Sequence, residues 1–209
     1  MATHDGLAID TQGVCRCAWG ASHELYYDYH DQEWGVPEGD DHRLFEKICL
    51  EGFQSGLSWL TILKKRPAFR SAFADFDFDR IAEMGPDDVE RLMGDASIVR
   101  NRRKIEATLN NAKRAQVLRH EFGSLAAYFW RFEPPRRSKA LDWDTLRTLA
   151  TSPESTALAK DLKRRGWTFV GPTTAYAFMQ AMGLVNDHVA GCHVQARVEA
   201  LALAYKRPL

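Results

Sequence analysis

Two cysteine–histidine pairs lie far apart in the chain. Twelve residues separate Cys17 from His30, and His188 and Cys192 stand at i, i+4. The second spacing puts both side chains on one helical face or in one tight turn. Together the four form a Cys2His2 set, the closed tetrahedral sphere of structural zinc. Spacing alone does not choose among nearby donors: Cys15 competes with Cys17, and His23 or His193 with the histidines. A sphere filled by four protein ligands leaves no position for an activated water, which argues against a zinc hydrolase. Such a Zn2+ would tie the N-terminal segment to the C-terminal one.

A second group mixes aromatic rings with one acid. Trp19, Tyr26, Tyr27, Tyr29 and Trp34 crowd the first section, followed by Glu51 and Trp59. An enzyme that acts on a nucleobase must lift it from the stack and hold it between aromatic faces. A carboxylate among apolar neighbours, such as Glu51 in ICLEGFQSGLSW, would favour a cationic base over neutral ones. The plainer reading makes Glu51 a cap or an ion-pair partner and the rings core.

The third group is LAKDLKRRGWTFVGPTTAYAFMQAMG, a helix, a short glycine-bounded turn and a second helix. Gly171 permits close approach of a partner to the backbone, and Pro172 suits a first helical turn. Thr173 and Thr174 can satisfy the open N–H groups there. Amides at a helix start, with Lys163, Arg164 and Arg165 just upstream, make a phosphate site. A bare helical hairpin packed on the core would carry the same pattern.

The elements that must position these groups read as mainly helical. Leu44, Phe45, Ile48 and Cys49 share a face of a helix entered through Asp40 or Asp41. Gly52 and Gly56 loosen the chain before LSWLTILKKR, which resumes helical spacing until Pro67. Further helices are expected over 67–74, 78–84, 86–93, 100–120, 124–132, 155–165, 173–182 and 193–205. WTFVG is the best β-like run and is too short for a sheet. Residues 1–14 read as a loose arm, 15–193 as one helical domain of two packed lobes with the hairpin at about 160–183, and 194–209 as a helical extension.

The chain has 209 residues, 28 Lys+Arg against 28 Asp+Glu, and 45% hydrophobic residues. That describes an ordinary globular protein. No run approaches the roughly 18 apolar residues of a membrane span, and no secretory segment is visible, so a cytoplasmic location is expected. Zero net charge argues against a polyanion partner only if the charge is evenly spread. It is not. Residues 75–95 carry eight acids against Arg80 and Arg91, while 100–114 carry six bases against Glu106. Residues 131–139 and 160–165 are also basic.

Taken together, RCAWG, YYDYHDQEWGVP, LFEKICLEGFQSGLSWLTILKKR and GWTFVGPTTAYAFMQAMGLVNDHVAGC resemble the 3-methyladenine DNA glycosylase I family. The match spans about residues 16–193. It implies a helix-hairpin-helix glycosylase fold with a zinc site joining the two ends of the chain. The resemblance assigns the zinc ligands to Cys17, His30, His188 and Cys192, so Cys17 rather than Cys15. It implies Glu51 and Tyr29 as polar contacts to the base, Trp59 as the stacking surface, and Trp19, Tyr26 and Trp34 as walls. For DNA, the residues themselves lead us to expect phosphate contacts at the hairpin (Gly171, Thr173, Lys163, Arg164) and a wedge at Leu57 in the Gly56-Leu57-Ser58 turn. The partner implied is double-stranded DNA carrying alkylated bases, with no membrane and no obligate protein partner. The activity implied is hydrolytic release of 3-methyladenine without strand cleavage; a non-catalytic zinc-containing DNA-binding module is the alternative. Two departures stand out. Asn186 occupies the place where the wider superfamily carries a catalytic Asp, an absence the 3-methyladenine I family shares, and Phe53 replaces the family's usual Gln.

Overall fold

The computed structural model describes residues 5–208, and its elements are mainly helical. The chain opens with an antiparallel pair, β1 (Leu7–Ile9) and β2 (Cys15–Cys17), with Leu7 opposite Cys17. Residues 5–14 are therefore not the loose arm expected, while residues 1–4 of that arm lie outside the described residues. The reason is polar and local. The Asp10 carboxylate accepts from the amides of Gln12 and Val14 at 2.8 and 2.9 Å, closing the turn. Arg16 then binds Asp10 at 2.6 Å and Asp31 at 2.8 Å, pinning the hairpin to the body.

Helix α1 (Glu24–Asp28) runs into a π-helical turn at Tyr29–Glu33, a pair that periodicity did not reveal. Helix α2 (Asp41–Gln54) is the central element. Asp40 is its cap, accepting from the Arg43 amide at 2.9 Å, whereas Asp41 accepts from the amide of Ala126 at 3.0 Å. Around α2 pack α3 (Trp59–Ala72), α6 (Arg102–Phe122), α7 (Leu125–Phe129) and α10 (Pro172–Ala181). The smaller α4 (Phe78–Ala82) and α5 (Pro86–Gly94) lean on α6. The short α8 (Trp143–Leu146) precedes α9 (Pro153–Arg164), which packs against α10, and α11 (Gln195–Ala204) ends the chain.

Helix α3 passes through Pro67 rather than stopping there. A mid-helix proline forfeits a hydrogen bond, and tertiary contacts on both sides of it outweigh that loss. Arg66 and Arg70 reach across to the same buried carboxylate, Glu46, at 2.7 and 2.9 Å, and Phe69 and Ala72 enter the core. Burial alone would raise the Glu46 carboxyl, yet Arg70 and Arg66 hold it below the usual carboxylate range. A group depressed in the folded state contributes stability above its unfolded value, near pH 4, and loses it as pH falls through the lower folded value. Glu46→Gln should therefore cost about 3 kcal/mol at pH 7 and should flatten the acid limb of stability in urea titrations.

Trp167–Gly171, the β-like run, pairs with no strand among the described residues. Its backbone is met by asparagines of α6: Asn111 bonds the Thr168 carbonyl and amide, both at 3.0 Å, and Asn110 bonds the Gly166 carbonyl at 2.8 Å. The turn between α9 and α10 is thus strapped to the core. Residues 194–208 are integrated rather than appended, since Val194, Val198 and Ala202 are buried and Arg207 binds Glu133 at 2.6 Å. Leu209 lies outside the described residues. The main core is phenylalanine-rich around α2, and a smaller one joins Cys17, Val189, Cys192, Val194 and Val198.

Candidate active site and metal cluster

The smaller core encloses the four cysteine and histidine side chains. Cys17 comes from β2, His30 from the π turn, and His188 and Cys192 from the loop before α11; all are buried, and their donor atoms lie within 4.8 Å of one another. Cys192 Sγ is 3.6 Å from His30 Nε2 and 3.7 Å from His188 Nδ1, and Cys17 Sγ is 3.8 Å from His188 Nδ1. The edges of a tetrahedron with Zn–S near 2.3 Å and Zn–N near 2.0 Å are about 3.5 Å. The outer ring nitrogens agree with that use. His30 Nδ1 meets Asp31 at 2.7 Å and His188 Nε2 meets the Trp34 carbonyl at 3.0 Å, which turns the opposite nitrogen of each ring toward the thiols. At Gly20 a Cβ would stand 2.4 Å from the His30 ring, so the chain comes as close as a glycine allows.

The electrostatics of the cluster favour a cation. Cys192 is pulled far down by the hydrogen bond from Cys17 and then by the histidines, while that same bond, with burial, pushes Cys17 up. Two thiols this close cannot both ionise without a positive centre between them. The donor set therefore fits a soft or borderline divalent metal. Cys15 is half-buried and His23 is a helix cap, accepting from the Leu25 amide at 3.1 Å; neither belongs to the cluster. His193 instead joins Asp31, at 3.0 Å.

Beside the cluster opens a cavity of about 270 Å³ lined by Trp19, Tyr29, Trp34, Glu51, Trp59 and Trp143, among others. Of the residues singled out as pocket contacts, only Tyr26 is off the lining; it packs edge-on to Trp19 at 5.6 Å between ring centres. Trp19 and Trp34 are shared between cavity and cluster: Trp19 lies 5.2 Å from the His30 ring and Trp34 4.7 Å from the His188 ring. The π turn is what allows this. In one stretch it sends Tyr29 into the cavity and His30 into the cluster.

Glu51 lies on α2 with its side chain only 5% exposed, and its carboxylate meets the Lys47 ammonium at 3.0 Å. The same ammonium donates to the Tyr29 hydroxyl and sits 3.5 Å from the centre of the Trp59 ring. Burial pushes the Lys47 ammonium below its ordinary value, and Glu51 pulls it back. Burial, then Glu51, pushes the Tyr29 phenol well up, so it stays protonated and can donate. The Trp59 indole N–H is buried and, among the described residues, has no hydrogen-bond partner. Lys47 and Trp143 were missed from the sequence. Lys47 stands one helical turn before Glu51, so the i, i+4 rule would have found it; Trp143 comes from a four-residue helix that carries no periodic signal.

The two polar residues after the hairpin, Asn186 and Asp187, divide clearly. Asn186 points away, donating to the Gln195 carbonyl at 3.1 Å and Glu199 at 3.2 Å. Asp187 does line the cavity, yet its oxygens take Arg137 at 2.5 Å, Tyr176 at 2.7 Å and Gln180 at 2.8 Å. A carboxylate so occupied is a brace, not a free base. Elsewhere, Gly56 and Leu57 form the tight turn before α3: Gly56 has φ of 80° and Leu57 is 41% exposed. Lys104 donates to the carbonyls of Phe53 and Ser55 at 2.8 and 2.6 Å, fixing that turn from below. At the hairpin, Gly171 caps α10, Thr173 and Lys163 are exposed, and Arg164 pairs with Asp161.

Comparison with known proteins agrees with this arrangement. Residues 19–196 match the model of the methyladenine glycosylase family. DNA-3-methyladenine glycosylase 1 of Escherichia coli (strain K12) is 49% identical over 180 residues, covering 85% of this chain and 95% of that protein. A crystal structure of 3-methyladenine DNA glycosylase I superposes with a TM-score of 0.80 at 49% identity, covering 85% of this chain and 98% of that one. A variant of such an enzyme in complex with 3-methyladenine gives 0.81 at 35% identity, covering 86% and 97%. The chain belongs to the methyladenine glycosylase family.

Proposed function

We propose that this protein excises 3-methyladenine from alkylated double-stranded DNA by hydrolysis, the first step of base-excision repair. The observation that carries the reading is the buried Glu51 carboxylate at an aromatic cavity large enough for a purine. Methylation at N3 makes the attached adenine cationic, which weakens its glycosidic bond. The protein then needs to extrude, orient and stabilise, without a strong nucleophile. Trp59 stacks on the flipped base while Glu51 and the Tyr29 hydroxyl read its edge. The C1′–N9 bond breaks with its electron pair going to the base, which leaves as neutral 3-methyladenine. Water adds to C1′ and loses a proton, leaving an abasic site. Asn186 supplies no carboxylate to this step, and among the described residues no lysine lines the cavity for Schiff-base cleavage of the strand.

In this reading Leu57 wedges the vacated stack from the Gly56 turn, and the Gly171 hairpin holds a phosphate through its amides, with Thr173, Lys163 and Arg164 alongside. The Cys2His2 cluster holds Zn2+ through Cys17, His30, His188 and Cys192. When bound, the ion supplies structural closure only, because all four positions belong to protein. Its place between β2 and the loop before α11 keeps Trp19 and Trp34 against the cavity. Such a protein works in the cytoplasm, on the chromosome.

Incubation with methylated duplex DNA tests the activity: chromatography should show free 3-methyladenine above the heat-only control, and its absence would remove the proposal. Binding should also respond weakly to salt. Lys104 is turned inward and Arg102 is tied to Glu90 at 2.8 Å, so among the described residues the exposed, unpaired cations of the 100–114 segment are Arg100, Arg103, Lys113 and Arg114. About three or four phosphate contacts give a log–log salt slope near −3, and a slope near −8 would contradict this interface.

A further inference from the structure

The three groups assigned to base recognition are already engaged by one side chain of the protein itself. The Lys47 ammonium lies 3.0 Å from Glu51, donates to the Tyr29 hydroxyl, and sits over the Trp59 ring at 3.5 Å and the Tyr29 ring at 4.7 Å. A carboxylate, a phenol oxygen and an indole face are the contacts an organic cation seeks. The lysine side chain is 3% exposed and Lys47 does not line the cavity that Glu51 and Trp59 line, so it stands behind the wall. Farther back, Arg66 and Glu33 form their own pair at 2.6 Å and offset each other. The cavity wall therefore presents an ion pair, not a bare carboxylate.

We propose that Lys47 is a specificity-determining residue: it offsets Glu51 and so limits how strongly the pocket prefers a cationic purine over a neutral one. The inference rests on the glycosylase reading of this site and deepens it. A buried carboxylate with no counter-charge would attract any small cation that entered and would hold a cationic base about a thousand times more tightly than a neutral one, on the order of the attraction at 4 Å with an effective dielectric near 20. With Lys47 in place the carboxylate stays ionised and keeps its orientation, while the net charge at the wall is zero. Discrimination between a methylated and an ordinary adenine then falls mainly on the weakness of the glycosidic bond, after the base has entered, and less on how tightly each is held.

Calorimetry with two probes tests this: 3,9-dimethyladeninium, a permanent cation that mimics the lesion with its N9 substituent, and 9-methyladenine, its neutral counterpart. The wild-type protein should prefer the cation by no more than about tenfold; a preference above about a hundredfold would overturn the proposal without any variant being needed. Lys47→Met removes the charge and keeps the aliphatic stem, and Lys47→Gln removes the charge and keeps a donor. Each should raise the preference for the cation by about tenfold or more, with 9-methyladenine changing less than about twofold. An unchanged or smaller preference in the variants would also overturn it. Release of 3-methyladenine from methylated DNA is measured on the same wild-type sample. Release with the wrong probe ratios sinks the Lys47 assignment alone, whereas no release sinks the glycosylase reading itself.

Discussion

Replacing Glu51 by Gln should lower kcat/KM for 3-methyladenine release by about a hundredfold or more, a loss of roughly 3 kcal/mol or greater in transition-state stabilisation. The substitution is nearly isosteric, so the cavity keeps its shape and the aromatic walls keep their contacts. What changes is charge. Glutamine cannot balance a cationic base, and its amide presents a donor where the carboxylate presented only acceptors. It also strands the Lys47 ammonium, which is buried and loses its only carboxylate partner among the described residues. Part of the damage will therefore appear as lost stability, since removing one member of a buried pair typically costs about 3–5 kcal/mol. Two controls separate the effects. Thermal melting reports the stability loss, and the zinc content should not change, because Glu51 is not among the cluster residues. Near wild-type excision by a folded Glu51→Gln protein would remove Glu51 from the base-reading role.

The second large effect is expected at Cys17. Serine at this position keeps the size but cannot supply a thiolate, and its hydroxyl does not ionise near neutral pH. Cys17→Ser should lose stoichiometric zinc and several kcal/mol of stability, because metal binding and folding are coupled at such sites. For a chain of this length a loss of about 3 kcal/mol lowers Tm by roughly 10 °C. The site bridges residues 17 and 192, so its loss frees the hairpin and the loop before α11 together and loosens Trp19 and Trp34. Excision should fall with it, and in proportion to the unfolded fraction. Cys15→Ser is the matched control: Cys15 lies two residues away on the same strand but outside the cluster, and zinc and Tm should both hold. Zinc retained in the Cys17 variant, or absent from the wild type, would defeat the metal assignment.

What the sequence made legible follows from locality. Asp40 caps α2, Pro86 and Pro172 open α5 and α10, and the glycine-bounded turn falls where its residues place it; each depends on neighbours a few positions away. The aromatic and acidic pocket residues were legible by type, and the structure gathers Trp19, Tyr29, Trp34, Glu51 and Trp59 around one cavity. The failures are tertiary. Helix α3 crosses Pro67 because Glu46, twenty residues earlier, anchors Arg66 and Arg70 on either side of it. The β-like Trp167–Gly171 run stays unpaired because Asn111 takes the amide and carbonyl of Thr168 and Asn110 holds the Gly166 carbonyl just before it. The N-terminal hairpin owes its order to Arg16 reaching Asp31. The π turn has no periodic signature at all, yet it is what separates Tyr29 from His30. Lys47 was within reach of a simple spacing rule, since Glu51 stands one helical turn along the same face.

The most direct measurement is a single-turnover reaction of the wild-type protein with methylated duplex DNA, following both products at once. Free 3-methyladenine is expected in the supernatant, with an equal number of abasic sites in strands that remain intact until alkali is added. Strand breaks without alkali, or no free base beyond the heat-only control, would contradict hydrolytic release.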